Sequence, residues 1–410
     1  MRNRIVSIYA YIFQESAVRL WELSSRQRLE RVLERAGVTE IVENLESIPK
    51  EGSALLLRGD YLYDDRVIKS LAKMENIVLQ VSSAQAVAAH VLSNLAQQAL
   101  DLLSGAASSE DLKGVRVETP ETLSSSFDER LRKVDPVFVL PISSENRRDL
   151  EKLLFSWSYK GVTDLVTKWV WPRPARWATG LCTRYGFRPN HVTVASLLLV
   201  VIAGILFYYG IYGWGLLVGW LMTFLDTVDG KLARVTVTSS RFGDIFDHAI
   251  DLIHPPLWYI AWGLGLTQFQ PAVPGLTLNT MLWLIVVGYI VGRLVELTFK
   301  LGLGNFGIFC WRPTDSYFRL ITGRRNPNLI LLTIGAVLGR PDLGLEAVAF
   351  WTVLTSLFLL VRLTMAWHER NVSGPLRTWF QDIGKGVDKR SLAVRLFTRR
   401  NTAHSGSSNV

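Results

Sequence analysis

The sequence predicts two domains built for different surroundings: an N-terminal α/β domain and a C-terminal all-α bundle of six transmembrane helices. Three observations carry this. The chain has 410 residues, enough for two domains. Hydrophobic residues make up 49%, and the positive mean hydropathy comes almost wholly from sequence after residue 190. Before residue 150, short apolar runs alternate with amphipathic stretches, as strands and helices do in an α/β layer. The expected limits are 1–150 for the α/β domain, 151–190 for a linker with an interfacial amphipathic helix, 191–368 for the six spans and 369–410 for a basic tail.

The elements follow in order. The first residues lack a long apolar run ending in a small-residue cleavage site, so no signal peptide is expected. Residues 27–36 (QRLERVLERA) form an amphipathic helix with Leu29, Val32 and Leu33 on one face and Gly37 to end it. Residues 38–42 read as a short strand and 54–58 as a buried one. A helix over 65–74 and a strand over 76–81 come next, and 115–118 and 136–140 are later strands. Residues 83–107, rich in Ala, Ser, Leu and Gln, read as one helix or two, with a loop over 104–111. The alternation argues for a largely parallel sheet.

From residue 156 to 190 the composition changes. Trp157, Trp169, Trp171 and Trp177 stand among Lys168, Arg173, Arg176, Arg184 and Arg188. Tryptophan beside basic residues suits a helix lying in the head-group layer, or a linker packing its tryptophans on the first domain. Apolar runs then cover roughly 191–210, 212–235, 242–265, 278–300, 327–340 and 346–367. A span needs about 20 residues, so the fifth is short. The connections at 210–213 and 268–279 carry no charge, whereas Arg234, Arg241, Arg312, Arg319, Arg324, Arg325 and the tail's Lys389, Arg390, Arg395, Arg399 and Arg400 lie at the other ends. The positive-inside rule puts both termini and that face in the cytoplasm, in a multi-pass inner membrane protein. The net charge of +9 thus argues for anionic lipid rather than nucleic acid as partner. The tail is either solvated or bound to the lipid surface. Two distant cysteines, Cys182 and Cys310, form neither a disulfide framework nor a metal pattern.

The chemistry concentrates between residues 226 and 251. Asp226, Asp229, Asp247 and Asp251 are spaced by three, eighteen and four. On helices, Asp226, Asp229, Gly230 and Ala233 share one stripe, and Gly243, Asp247 and Asp251 another. A turn around residues 238–240 would bring the stripes face to face. Converging carboxylates in an apolar setting repel unless a cation sits between them, and hard oxygens suit Mg²⁺, Mn²⁺ or Ca²⁺. The alternative is a set of ion pairs with Lys231, Arg234 or Arg241.

Asp226, Asp229, Gly230, Ala233, Arg234, Gly243, Asp247 and Asp251 match every fixed position of the pattern D-x2-D-G-x2-A-R-x8-G-x3-D-x3-D. The chain therefore resembles the CDP-alcohol phosphotransferase (phosphatidyltransferase) family. The resemblance implies a CDP-alcohol donor, a hydroxyl acceptor that carries or lacks a phosphate, and release of CMP in phospholipid or inositol-phosphate diester synthesis. It implies two Mg²⁺ or Mn²⁺ ions on Asp226, Asp229, Asp247 and Asp251, with Asp251 also taking the acceptor's proton. Gly230, Ala233, Gly243 and Arg234 would lie beside the nucleotide, and Arg234 has the alternative of anchoring its helix end. The family is usually homodimeric.

Two further resemblances bear on the flanks. Residues 36–42 and 57–64, with Gly59-Asp60, are similar to the middle of a sugar-phosphate nucleotidyltransferase, whose metal-binding Asp would correspond to Asp60. Residues 5–36 contain no glycine for a triphosphate loop, so this domain is expected to be inactive. The run Lys160-Gly161-Val162-Thr163-Asp164, with Trp177 and Arg188-Pro189-Asn190, resembles the entry where this membrane family is fused to a cytidylyltransferase-like domain, as in enzymes making inositol-phosphate diesters. Asn190 either caps the first span or bonds the nucleotide.

Acceptor recognition is less legible. Arg293 stands inside the fourth span with Glu296 one turn on, so it either meets the acceptor or pairs with Glu296. Arg312, Arg319, Arg324 and Arg325 either bind an acceptor phosphate or serve topology. His248 and His254 read as packing residues, and Asp244 as a cap or partner of Arg241. The competing functions are a non-catalytic nucleotide sensor or scaffold that kept the site, and a bifunctional enzyme with an active cytidylyltransferase domain.

Overall fold

The structure is a computed structural model describing residues 7–82, 85–107, 112, 114–239, 241–383 and 386–398. Within these, the structure describes only the backbone of Ser82, Arg241, Phe242, Asp244 and Asp247. The tail residues Arg399 and Arg400 lie outside the described residues.

The chain opens with strand β1 (Ile8–Phe13) and helix α1 (Ser25–Ala36). Ser24 and Gln27 form a capping box at the start of α1, and Gly37 ends it at φ 84°. Then come β2 (Glu40–Val42), β3 (Ser53–Arg58), β4 (Tyr61–Tyr63), α2 (Asp65–Lys73), β5 (Ile77–Ser82), β6 (Gln85–Leu92), α3 (Ala96–Ser104) and β7 (Arg116–Glu118). Helix α4 (Pro120–Leu123), the β8 (Phe127–Asp128) and β9 (Lys133–Val134) hairpin, β10 (Val139–Pro141) and α5 (Arg147–Trp157) complete the domain.

The six-stranded sheet has the order β2-β1-β3-β6-β5-β7. It is mixed rather than largely parallel. β1 runs parallel to β2 and β3, with Ile8 opposite Ser53, but β6 runs antiparallel to both β3 and β5. This corrects the helical reading of 83–107: residues 85–92 are a central strand, and the helix begins at Ala96. Apolar cores cover both faces. Leu55, Leu57 and Leu79 meet α1 and α2 through Leu33, Ile68 and Leu71; Leu56 and Val78 meet α3 through Ala99 and Leu103.

A single π turn (Val166–Val170) and helix α6 (Pro172–Arg184) form the linker, with Trp169 and Trp177 exposed. The C-terminal region is helical: α7 (Pro189–Tyr208), α8 (Tyr212–Val235), α9 (Arg241–Leu264), α10 (Leu278–Thr298), α11 (Pro313–Ile321), α12 (Arg325–Val337) and α13 (Pro341–Ser373). Among the described residues, three helical stretches are long and apolar enough to cross a membrane: Pro189–Tyr208, Leu278–Leu303 and Pro341–Ser373. They also expose apolar side chains, among them Leu198, Ile205, Leu284, Leu294, Phe350 and Leu357, as lipid-facing helices do. α8 and α9 carry the charged motif, and the 13 residues of α12 reach only about 20 Å. Trp258, Tyr259, Trp262, Phe207, Met281 and Leu329 fill the bundle's core.

The tail is folded as far as Thr398. Residues Trp379–Asp382 form one helical turn, and α14 (Leu392–Phe397) follows. Trp379, Phe380 and Phe397 are buried against Phe309, Trp311 and Val162. The described part of the tail is therefore not a freely solvated segment, because its aromatic residues find an apolar bed in the protein, while Lys389, Arg390 and Arg395 stay exposed.

Candidate active site

The two motif helices, joined by the turn at 236–239, both pack on α7, and Asp226, Gly230 and Arg234 of α8 and Asp251 of α9 line one cavity of about 380 Å³. Lys160, Thr163 and Asp164 of the linker and Arg293 of α10 close one part of its wall. Arg319 of α11 and Arg324 and Arg325 at the start of α12 close another, and Arg132, from the β8–β9 hairpin, reaches in from the first domain. Among the described residues, eight cationic side chains face this space against three carboxylates (Arg132, Lys160, Lys231, Arg234, Arg293, Arg319, Arg324 and Arg325; Asp164, Asp226 and Asp251). Such an excess suits a ligand carrying several negative charges.

At the cavity's centre Arg325 bridges the motif helices. Its Nη2 lies 2.5 Å from Asp226 Oδ2 and its Nη1 2.6 Å from Asp251 Oδ1. Of the four motif carboxylates, Asp226 and Asp251 converge here, and one guanidinium answers both. The Asp226 side chain is 16% exposed and that of Asp251 45%, so Asp251 is the one open to a substrate. Pro255 has no N–H to give the Asp251 carbonyl four residues back. Tyr289 Oη donates to that carbonyl at 3.2 Å, which fixes the backbone beneath Asp251.

Asp229 is buried toward α7, where Thr193 Oγ1 donates to its Oδ2 at 2.9 Å, and it is not part of the cavity wall. Ala233 and Gly243 are likewise outside the wall, and Asp247's side chain lies outside the described residues. Among the described residues, no three acidic, histidine or cysteine side chains gather closely enough to hold a metal ion. A Cβ on Gly230 would lie 3.0 Å from Arg234 Nη2, so a side chain there would push the guanidinium aside.

Asn190 is exposed and is not the cap of α7, which starts after Arg188. Arg312 stands apart from the cavity, paired with Glu369 and placed over the Trp311 ring. Arg293 lines the cavity and also lies 3.8 Å from Glu296, which Arg324 shares. His248 lines the wall, whereas His254 is buried against the Trp258 ring. Cys310 is buried, and burial pushes its thiol up to about 12, leaving it inert.

Arg319 is buried, yet its Nε and Nη1 have no hydrogen-bond partner. Burial, with Arg324 nearby, pushes its guanidinium down to about 9. A buried cation with open donors beside a cavity is a socket for an anion. Asp164 is held in place by Thr167 N at 3.0 Å and Asn326 Nδ2 at 2.9 Å. Burial raises its carboxyl, but Arg319 and these bonds outweigh that and hold it below the ordinary carboxylate range. Lys231 is buried with its Nζ 3.5 Å from the centre of the Tyr159 ring. Sequence reasoning missed Arg132 and Lys231 as wall residues. Arg132 sits in a hairpin with no motif around it, and Lys231 has the look of an ordinary helix charge.

Residues 187–303 match the family model described as CDP-alcohol phosphatidyltransferase. The chain is 27% identical over 158 residues to "Uncharacterized CDP-alcohol phosphatidyltransferase class-I family protein 1" of Dictyostelium discoideum, covering 36% of this chain and 39% of that protein. It is 32% identical over 117 residues to a phosphatidylinositol phosphate synthase of Mycobacteroides abscessus, covering 27% of this chain and 51% of that protein. The chain thus spans about half or less of the curated relatives it matches.

Proposed function

We infer that this chain, which carries a CDP-alcohol phosphatidyltransferase domain at residues 187–303, is an integral-membrane transferase that moves a substituted phosphate from a CDP-alcohol to an acceptor hydroxyl and releases CMP. The observation that carries this reading is the convergence of Asp226 and Asp251 on one cation in a cavity where arginine and lysine outnumber carboxylates. A nucleotide diphosphate ester brings at least two negative charges, and the wall answers them.

Asp226 and Asp251 suit a divalent cation: they come from two helices and already share one positive group, and carboxylate oxygens suit Mg²⁺ or Mn²⁺, whereas Asp229 would have to turn from Thr193 to join them. We assign Asp226, Asp229, Asp247 and Asp251 to hold two ions, which when bound offset the pyrophosphate charge. Asp251 accepts the acceptor's proton, since its carboxylate is the more exposed. Gly230 and Arg234 flank the CDP group from the cavity wall, and Ala233, Gly243 and Asn190, which lie off that wall, are assigned beside it by the sequence resemblance alone. Arg319, with Arg293, Arg324 and Lys160, takes a phosphate on the acceptor; the open donors of Arg319 support a phosphorylated acceptor over a neutral one.

We read α7, α8, α9, α10, α12 and α13 as six spans with the site on the cytoplasmic side, by the distribution of arginine and lysine. On this reading residues 1–150 are a non-catalytic, nucleotidyltransferase-like domain, 151–190 the linker, 191–368 the transferase and 369–410 the tail. Support for an inactive first domain is that residues 14–24, between β1 and α1, hold no glycine, and that Asp60 is taken by Arg58 at 2.6 Å.

The test is CMP release by the full chain in lipid nanodiscs, over a panel of CDP-alcohols and acceptors, with products identified by mass. Turnover should favour an acceptor bearing a phosphate. Absence of CMP release with every donor would end the reading, and pyrophosphate release from CTP would show an active first domain instead.

A further inference from the structure

The first domain grips the turn that joins the two motif helices. Arg28, Arg31 and Arg35 follow one another at spacings of three and four, so they stand on one face of α1. All three reach across the domain boundary to backbone carbonyls of one short segment. Arg28 Nη2 donates to Val235 O, Arg31 Nη1 to Thr236 O at 2.6 Å, and Arg35 Nη2 to Ser239 O at 2.9 Å. The carbonyls of Val235 and Thr236 end α8 and lack helical partners, and cations at a helix C-terminus complement its dipole.

A second observation is independent of the first. Between those carbonyls Val237 adopts φ 52°, a left-handed conformation that a β-branched residue rarely takes. Its side chain is 3% exposed and belongs to the core of the first domain, with Leu29, Val32, Leu33 and Ile68. Such a backbone persists only where surroundings over-determine it. A simple tether between domains needs neither three charged side chains on one turn nor a strained valine driven into the neighbouring core.

We propose that α1 and Val237 are positioning elements for the transferase site: the first domain fixes the α8–α9 turn and thereby the spacing of the carboxylates on the two helices. The proposal rests on the transferase reading above. Arg28, Arg31, Arg35 and Val237 touch none of the cavity; Arg234, directly before the gripped segment, and Gly230, about a turn and a half before it, line it.

The experiment compares the full chain in nanodiscs with Arg31→Ala/Arg35→Ala, Arg31→Lys/Arg35→Lys and Val237→Gly. The first readout is amide hydrogen exchange in the peptide spanning 232–245, with 189–208 as internal control. The second is kcat and KM for the CDP-alcohol, per folded protein. Exchange in 232–245 should rise about tenfold in the alanine pair and in Val237→Gly while the control stays unchanged. Their kcat should fall about tenfold to a hundredfold with KM held within about twofold, because a small misplacement costs rate rather than binding. The lysine pair should recover part of both. Unchanged exchange overturns the grip, and faster exchange with unchanged kcat overturns the positioning role. A wild-type chain that releases no CMP refutes the transferase reading instead, and the exchange arm alone then decides whether the grip exists.

Discussion

At the scale of single residues, Asp251 is where the helix, the cation and the open space meet. Tyr289 replaces the backbone donor that Pro255 lacks, Arg325 holds one carboxylate oxygen, and nearly half of the side chain stays accessible. Asp251→Asn keeps the shape and removes the base. It should lower CMP release at least about a hundredfold while donor binding survives, as read by kinetics beside ligand-induced quenching of tryptophan fluorescence. Normal turnover would remove its assigned role. His90 offers a different test, in the core of the first domain. Its ring nitrogens meet Leu71 O at 2.7 Å and Ser53 Oγ at 2.9 Å, and burial lowers its pKa below the ordinary histidine value. Between the folded and unfolded values the unfolded chain binds more protons, so this contribution to stability is complete above about 6.5 and is lost as the pH falls below that. Denaturant midpoints at pH 7.5 and 5.5 should therefore separate in the wild type and draw together in His90→Gln.

At the scale of elements, legibility followed what the local sequence had to satisfy by itself. The apolar runs of α7, α10 and α13 and the amphipathic face of α1 declare themselves because burial or lipid is written into each stretch. β6 does not. Its sequence, Gln-Ala-Val-Ala-Ala-His-Val-Leu, is rich in a helix former, and it is a strand because β3 and β5 offer ladders on both sides. The tail is unreadable for the same reason: its aromatic residues are spaced without period and find their partners in short turns and helices far back in the chain. The motif spacing gave away the convergence of Asp226 and Asp251, but not Arg325 between them, since that contact joins residues 74 to 99 positions apart. α12 delivers Arg325 and is seated by a close crossing: a Cβ on Gly335 would lie 2.5 Å from Gly344 Cα of α13. Gly335→Val should push the helices apart, costing about 1–3 kcal/mol in stability and lowering turnover as Arg325 shifts, measurable by thermal unfolding and kcat.

At the scale of the whole molecule, the parts share cores rather than merely touching. Leu20, Trp21, Leu154 and Phe155 pack with Val192, Val228 and Leu232, so the first domain and the motif helices are continuous in their packing. The metal assignment belongs to this scale because the carboxylates come from separate helices. Chelator should abolish CMP release and Mg²⁺ or Mn²⁺ should restore it; undiminished activity in chelator would contradict the assignment. The tail adds a practical consequence. Thr378 Oγ1 donates to Cys310 O at 2.6 Å, Trp379 Nε1 to Ser316 Oγ at 3.0 Å, and Lys168 lies 5.2 Å from the Phe397 ring. The described residues between 374 and 398 thus form a plug packed on the protein. A fluorescent reporter or purification tag spliced in after Ser373 would flood that aromatic bed with water and yield an aggregating product, whereas one placed beyond Thr398 leaves the plug seated.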